Sequence, residues 1–228
     1  MSTAPMSETQ PPTRDLPLDP LQTGLLVVDM QNFCVRPDGG EMALLSPETD
    51  EIDYGAYFRR LEETTVPNIQ RLQAACRAAG AEVLYTTIES LTLDGRDRSL
   101  DYKISGFNIP KGAWEGRVVD ELTPGADEIV LPKSSSSVFI STNIDYVLRN
   151  LGVRQLVICG IRSDHCVQSA VRDACDLGYL VTLVRDASTS FSEDVHRTAL
   201  GTLQGYCRLA TTDTLLAELA AGAPKAAR

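Results

Sequence analysis

Six short apolar runs recur along the chain and set the limits on its fold. They are Gly24–Met30, Glu82–Ile88, Glu128–Pro132, Gln155–Gly160, Leu180–Asp186 and Cys207–Ala210. Within them, consecutive rather than alternate positions are apolar, so both faces of each run must be buried. That pattern belongs to a parallel sheet covered on both sides. Helical stripes fill the gaps. Val66, Ile69, Leu72, Cys76 and Ala79 mark one, which stops at Gly80. Ile144, Val147, Leu148 and Leu151 mark a second, with Ser141 or Thr142 as its cap and Gly152 as its stop. Val167, Ala170, Val171, Ala174 and Leu177 mark a third, ending at Gly178. Alternation of this kind predicts a three-layer α/β/α sandwich. Ligands of such sheets bind beyond the carboxyl ends of the strands. The residues to weigh are therefore those just after each run: Asp29 to Cys34, Glu89, Lys133, Ile161 to Cys166, and Asp186 onward.

Composition marks out one domain with two loose ends. Residues 1–20 hold five of the twelve prolines and read as a flexible N-terminal arm. Residues 21–219 form a single domain, and 220–228 an Ala-rich flexible tail. The net charge of −10 argues against a nucleic-acid groove, which needs a positive face. No apolar run approaches the roughly 18 residues of a membrane span. The N-terminus has no apolar signal-peptide core, so a cytoplasmic protein is expected. The six cysteines form no C-x-x-C pair and are expected as thiols.

Three strand-end residues carry chemistry. Asp29 closes Leu-Leu-Val-Val-Asp, where a buried carboxylate needs partners; alone it reads equally well as a structural loop cap. Lys133 follows Ile-Val-Leu-Pro, and alone it reads as a solvated lysine. Cys166 opens the third helix, where the dipole and free N–H groups favour a thiolate and can hold an oxyanion. Cys76, Cys159 and Cys175 lie inside helix or strand patterns and read as packing residues; Cys34 and Cys207 are ambiguous, with Cys34 near the expected pocket. His165 adjoins Cys166 on a turn, and His196 reads as a surface helix residue, so a Cys–His dyad is disfavoured. No zinc-ligand spacing, G-x-x-x-x-G-K-[ST] or G-x-G-x-x-G motif is present.

Asp29, Lys133 and Cys166, in this order at strand ends, resemble the isochorismatase-like cysteine hydrolases. The matching stretches are Leu26–Asn32, Leu131–Lys133 and Gly160–Val167, continuing through Ser169–Ala174, Gly178–Tyr179 and Asp186–Ala187. The resemblance spans roughly residues 22–218. It implies a Rossmann-like six-stranded parallel sheet of order 3-2-1-4-5-6, with Asp29 and Cys166 at the switch point. It also implies a cis peptide at Ile161–Arg162 and an oxyanion hole made by the backbone N–H groups of Arg162 and Cys166. In the implied mechanism Asp29 takes the thiol proton, Lys133 stabilises the charges, and Cys166 attacks an amide or ureido carbonyl. No metal or cofactor is implied, and the partners are a small amide or ureido substrate and further copies of the chain, as a homodimer or homotetramer.

Two departures narrow the choice. Nicotinamidases of this family carry an Asp-x-His zinc set where this chain reads Thr86-Thr-Ile-Glu-Ser-Leu-Thr92. Isochorismatases proper lack the cysteine. Amide hydrolysis therefore leads, with ether cleavage, nicotinamide hydrolysis or a non-catalytic redox-sensing role as alternatives. The substrate-binding candidates are Asn32, Phe33, Glu89, Arg162 and Gln204. Arg162 stands where relatives carry a small or apolar residue, and either clamps substrate or points away. The charged stretch Leu93–Lys103, with Phe107 and Trp114 after it, is the candidate cover.

Overall fold

A computed structural model describes residues 13–44 and 53–222. Six strands form one all-parallel sheet: β1 (Thr23–Val28), β2 (Glu82–Ile88), β3 (Ile129–Lys133), β4 (Gln155–Ile161), β5 (Leu180–Thr189) and β6 (Arg208–Ala210). Their order is β3-β2-β1-β4-β5-β6, as the resemblance implied. The helices are α1 (Asn32–Val35), α2 (Tyr54–Arg60), α3 (Val66–Ala79), α4 (Leu100–Ile104), α5 (Val138–Ser141), α6 (Ile144–Asn150), α7 (Cys166–Asp176), α8 (Glu193–Thr202) and α9 (Thr212–Gly222).

The run-on apolar pattern has a direct structural cause. Successive strand side chains point to opposite faces, and here both faces are covered. Leu25 and Val27 enter a core shared with Ile69 and Leu72 of α3 and Leu215 and Leu219 of α9. Leu26 and Val28 enter a second core with Ile144 and Leu148 of α6 and Val167, Ala170 and Val171 of α7. Each Leu, Ile or Val buried this way contributes about 1.5–3 kcal/mol over its exposed state. Gly80 ends α3 in the left-handed conformation at φ 76°, where a residue without Cβ is the unstrained choice. Between α2 and α3 the helix widens into a π turn over Leu61–Thr65. Pro67 is the second residue of α3; it offers no N–H to the carbonyl four residues back, and its ring would crowd that carbonyl in a regular helix.

The chain ends differ from the composition-based boundaries. Residues 1–12 and 223–228 lie outside the described residues, but 13–20 do not behave as a free arm throughout. Leu18 is buried and its N–H donates to Glu218 Oε2 at 3.1 Å. Gln155 donates from Nε2 to the Pro17 carbonyl at 3.0 Å and accepts from the Asp19 N–H at 2.6 Å. The edge of the domain thus begins near Pro17, and α9 carries it to Gly222, past the expected 219. Among the described residues no helix is long and apolar enough to cross a membrane.

Candidate active site

Sheet register assembles the site. Val28 pairs with Gly160 across the β1–β4 switch and with Thr86 on β2, so Asp29 emerges between the ends of three strands. Gly160 has φ 112°, and a Cβ there would lie 2.2 Å from the Val28 carbonyl oxygen; only glycine lets the strands approach this closely. Asp29 itself turns left-handed at φ 53°, which aims its carboxylate back over the sheet. Thr86 holds it in place. The hydroxyl donates to Asp29 Oδ1 at 2.7 Å and accepts from the Asp29 N–H at 3.2 Å.

Lys133 closes β3, opposite Ile88 of β2. Its ammonium lies 3.0 Å from Asp29 Oδ2 and 3.3 Å from Cys166 Sγ. It also donates to the Tyr102 hydroxyl at 3.1 Å and to the Ser135 carbonyl at 3.0 Å. Asp29 and Lys133 are each 1% exposed, and Cys166 7%. The bland reading of Lys133 as a solvated lysine is therefore wrong: β3 delivers it into the interior, where the carboxylate compensates its charge. Burial works against that charge, yet the Asp29 carboxylate and Cys166 hold the lysine well above its ordinary value.

Cys166 is the first residue of α7, preceded by His165 with no side-chain cap. No side chain therefore caps its first N–H groups, and the Val167 N–H turns back to the Arg162 carbonyl at 3.2 Å. The Ile161–Arg162 peptide is cis, and among the described residues neither the Arg162 nor the Cys166 N–H has a backbone acceptor. Burial and the Asp29 carboxylate oppose the thiolate that the helix end and Lys133 favour. Burial pushes the thiol up to about 12; Lys133 pulls it down, and Asp29 adds to the rise.

Asp29 and Cys166 line a cavity of about 390 Å³. Arg162 also lines it, but its guanidinium is turned onto Glu41, 2.5 Å from Oε1, and lies over the Phe191 ring at 4.1 Å. The other substrate-binding candidates are placed elsewhere. Asn32 is buried and donates to the Trp114 carbonyl at 2.9 Å, a loop-holding role. Phe33 packs edge-on against Phe107 with ring centres 5.3 Å apart; Phe107 reaches the cavity and Phe33 backs it. Glu89 is half-buried with its carboxylate against Gly116, outside the cavity lining. Gln204 is exposed and precedes β6. In a parallel sheet the residue before a strand lies at the opposite edge from the residues after strands, so Gln204 is remote from the site.

Sequence reasoning did not single out Tyr102 or Glu41, both of which line the cavity. Tyr102 lies inside the charged stretch, on α4; Ser99 caps that helix by accepting from the Tyr102 N–H at 3.2 Å. The serine-capped turn was the available signal. Glu41 follows Gly39-Gly40 in a stretch without periodicity, and is 2% exposed. Burial raises its carboxyl, with Arg162 opposing. Trp114 does not line the cavity. His196 also departs from expectation: it is buried, its Nδ1 paired with Ser163 Oγ at 2.7 Å and its Nε2 with the Arg185 carbonyl at 3.1 Å. It faces inward from α8 and braces the turn before Cys166. Cys34 lines the cavity, and burial holds its thiol well above the ordinary value. Among the described residues no group of three or more His, Cys, Asp or Glu side chains is arranged to hold a metal ion.

Comparison with known proteins finds similar chains. The isochorismatase domain matches residues 23–214. Ureidoacrylate amidohydrolase RutB of Rhizobium rhizogenes is 32% identical over 193 residues, covering 78% of this chain and 74% of that protein. The RutB of Agrobacterium fabrum is 31% identical over 201 residues, covering 78% and 80%. Among solved structures, a cysteine hydrolase from Pseudomonas syringae pv. phaseolicola superposes with TM-score 0.77 at 25% identity, over 94% of this chain and all (100%) of that one. N-carbamoylsarcosine amidase from Thermoplasma acidophilum superposes with TM-score 0.65 at 26% identity, over 84% and 97%.

Proposed function

This chain belongs to the isochorismatase family, and from that premise we propose that it is a cysteine amidohydrolase cleaving a C–N bond of a small amide or ureido compound. One observation carries the reading: a buried ammonium stands 3.0 Å from a carboxylate and 3.3 Å from a thiol at the end of a cavity. A structural ion pair alone has no need of the thiol. The ureidoacrylate amidohydrolases and the N-carbamoylsarcosine amidase among its relatives are named for the same bond type.

The substrate carbonyl carbon sits against Cys166 Sγ. Asp29 accepts the thiol proton as sulfur attacks, and Lys133 stabilises the developing thiolate. The carbonyl oxygen gains negative charge and is received by the N–H groups of Arg162 and Cys166, each such donor contributing a few kcal/mol at roughly 2.7–4 kcal/mol. The C–N bond then breaks, and the proton held by Asp29 passes to the departing nitrogen, which leaves as ammonia or an amine. Water enters, gives a proton to Asp29 and attacks the thioester. The acid product departs as that proton returns to sulfur. The protein acts as a homodimer or homotetramer in this reading, which size-exclusion chromatography with light scattering tests.

The decisive experiment measures ammonia release from biuret, ureidoacrylate, N-carbamoyl amino acids, maleamate and nicotinamide, with wild type and Cys166→Ser. Release from a panel member that disappears in the variant, with an acyl adduct on Cys166 by mass spectrometry, is the expected result. Release that survives in Cys166→Ser overturns the mechanism. Pyruvate formation from isochorismate instead would assign ether cleavage.

A further inference from the structure

Tyr102 is a buried titratable group that the proposed reaction leaves without a task. It sits on α4 and is 2% exposed, whereas Leu100 and Ile104 of the same helix are 73% and 77% exposed. A helix oriented by apolar burial alone would turn its leucine and isoleucine inward and its phenol toward water. The reverse holds here. Ser99, the cap of α4, donates its N–H to the Ser134 carbonyl at 2.8 Å, which ties the helix to the chain just after Lys133. Phe107 packs against the Tyr102 ring with centres 5.3 Å apart. The phenol is thereby clamped along its ring, with its hydroxyl at the Lys133–Cys166 pair.

The proton count at that hydroxyl fixes its direction. An ammonium has three N–H donors and no lone pair. Lys133 aligns them on Tyr102 Oη at 3.1 Å, the Ser135 carbonyl at 3.0 Å and Cys166 Sγ at 3.3 Å, with the Asp29 carboxylate alongside as counter-ion. Tyr102 is therefore the acceptor toward Lys133, and its own O–H is left for another partner. Among the described residues its one other partner is Cys166 Sγ, at 3.8 Å. Burial holds the hydroxyl well above its ordinary value, so it keeps its proton and remains a donor. Once the thiol proton has passed to Asp29, sulfur can only accept. Lys133 and Tyr102 then converge on it, and the first polarises the second. A separation of 3.8 Å suits a neutral thiol; a hydrogen bond to an ionised acceptor is shorter and stronger.

Resting on the cysteine amidohydrolase reading, we propose that Tyr102 is a further catalytic residue, whose hydroxyl donates to Cys166 Sγ and stabilises the thiolate both when it attacks the carbonyl and when it is expelled from the thioester. The thiol proton still passes to Asp29; Tyr102 lends a hydrogen bond and keeps its own proton throughout. The charge on sulfur is then met by two side-chain donors. α4, which lies in the stretch read from sequence as a cover, contributes to the chemistry as well as enclosing it.

The test reads Cys166 itself. Site-resolved alkylation by iodoacetamide at pH 9 is compared on the full chain for wild type, Tyr102→Phe, and a singly ring-fluorinated tyrosine at position 102. Loss of one hydrogen bond to a charged group lowers the thiolate population about tenfold. A less acidic thiol is also a better nucleophile, so the observed rate should fall about threefold in Tyr102→Phe. Fluorine makes the hydroxyl a stronger donor and a poorer acceptor, so the fluorinated protein should react faster than wild type. A residue that only accepts from Lys133 predicts no such gain. A Tyr102→Phe rate at or above wild type, or a fluorotyrosine rate at or below it, overturns the proposal. Should Tyr102→Phe fail to fold, the fluorinated protein decides alone. With any panel amide that wild type hydrolyses, ammonia release should fall about tenfold in Tyr102→Phe; release equal to wild type overturns the catalytic role. No ammonia from wild type, with both alkylation shifts present, would sink the amidohydrolase reading and leave the sulfur contact standing. Ammonia from wild type with unshifted alkylation would do the reverse.

Discussion

Lys133→Met removes a buried charge while keeping most of the side-chain volume. It leaves the Asp29 carboxylate, 1% exposed, without the ammonium 3.0 Å away. At an effective dielectric of ~20, unit charges at that separation attract by roughly 5–6 kcal/mol. The desolvation that accompanied burial offsets part of this, so orphaning the carboxylate should cost about 3–5 kcal/mol of stability. That is a large share of the ~5–15 kcal/mol that holds a domain folded. Asp29→Asn should destabilise by a similar mechanism, leaving the ammonium unpaired. Combining Asp29→Asn with Lys133→Met leaves no uncompensated ion, so the double variant should be more stable than the summed single effects predict, by about 2–3 kcal/mol. Urea unfolding at pH 7, followed by circular dichroism, measures all four corners of the cycle. Activity supplies a second reading: if the two residues act as one unit with Cys166, each single variant should lose nearly as much turnover as the double. Stability effects that add to within ~0.5 kcal/mol would show that the two charges do not interact, and the site would lose its electrostatic rationale.

Three further outcomes follow from other parts of the structure. Because burial holds the Cys166 thiol at about 12, site-resolved alkylation by iodoacetamide in the free protein should keep rising through pH 10; a plateau below pH 8 would mean a resting thiolate. Gly160→Ala forces a Cβ to 2.2 Å from the Val28 carbonyl oxygen at a left-handed φ, so the variant should be insoluble or lose at least about 3 kcal/mol, and a melting curve matching wild type would contradict the strand contact. Burial lowers the pKa of His196; the folded state keeps it neutral while the unfolded chain takes up a proton below pH ~6.5. Its contribution to stability should therefore be present above that pH and fall as pH drops through it, and His196→Gln should flatten that part of a stability–pH curve, as urea titrations at pH 5 to 8 would reveal.

What was legible in the sequence was what a parallel sheet dictates locally. Asp29 and Cys166 follow strands and Lys133 closes one, and parallel strands all run to the same end of the sheet, so their convergence needed only correct strand boundaries. The same rule read the other way removes Gln204, which precedes its strand. Register was harder. That Thr86 rather than another β2 residue would hold Asp29 follows from the Val28–Thr86 pairing, which no local pattern specifies. His196 was misread because its helix presents a polar residue inward to Ser163, a satisfied polar core that resembles a solvated face in sequence.

Glu41 was invisible for a deeper reason. Its partner Arg162 lies 121 positions away, and the turn that carries it has neither helical nor strand period. Only a tertiary contact reveals that a carboxylate in a Gly-Gly-Glu turn has been taken into the interior. A buried carboxylate is retained at a desolvation cost that a neutral side chain would avoid, and Arg162, 2.5 Å from Oε1, offsets that cost. Removing one partner should therefore cost more than removing both. Glu41→Leu alone orphans a buried guanidinium and should lose about 3–5 kcal/mol, whereas Glu41→Leu/Arg162→Met should lose less in urea unfolding. A double variant at least as destabilised as Glu41→Leu would show that the two charges do not compensate each other.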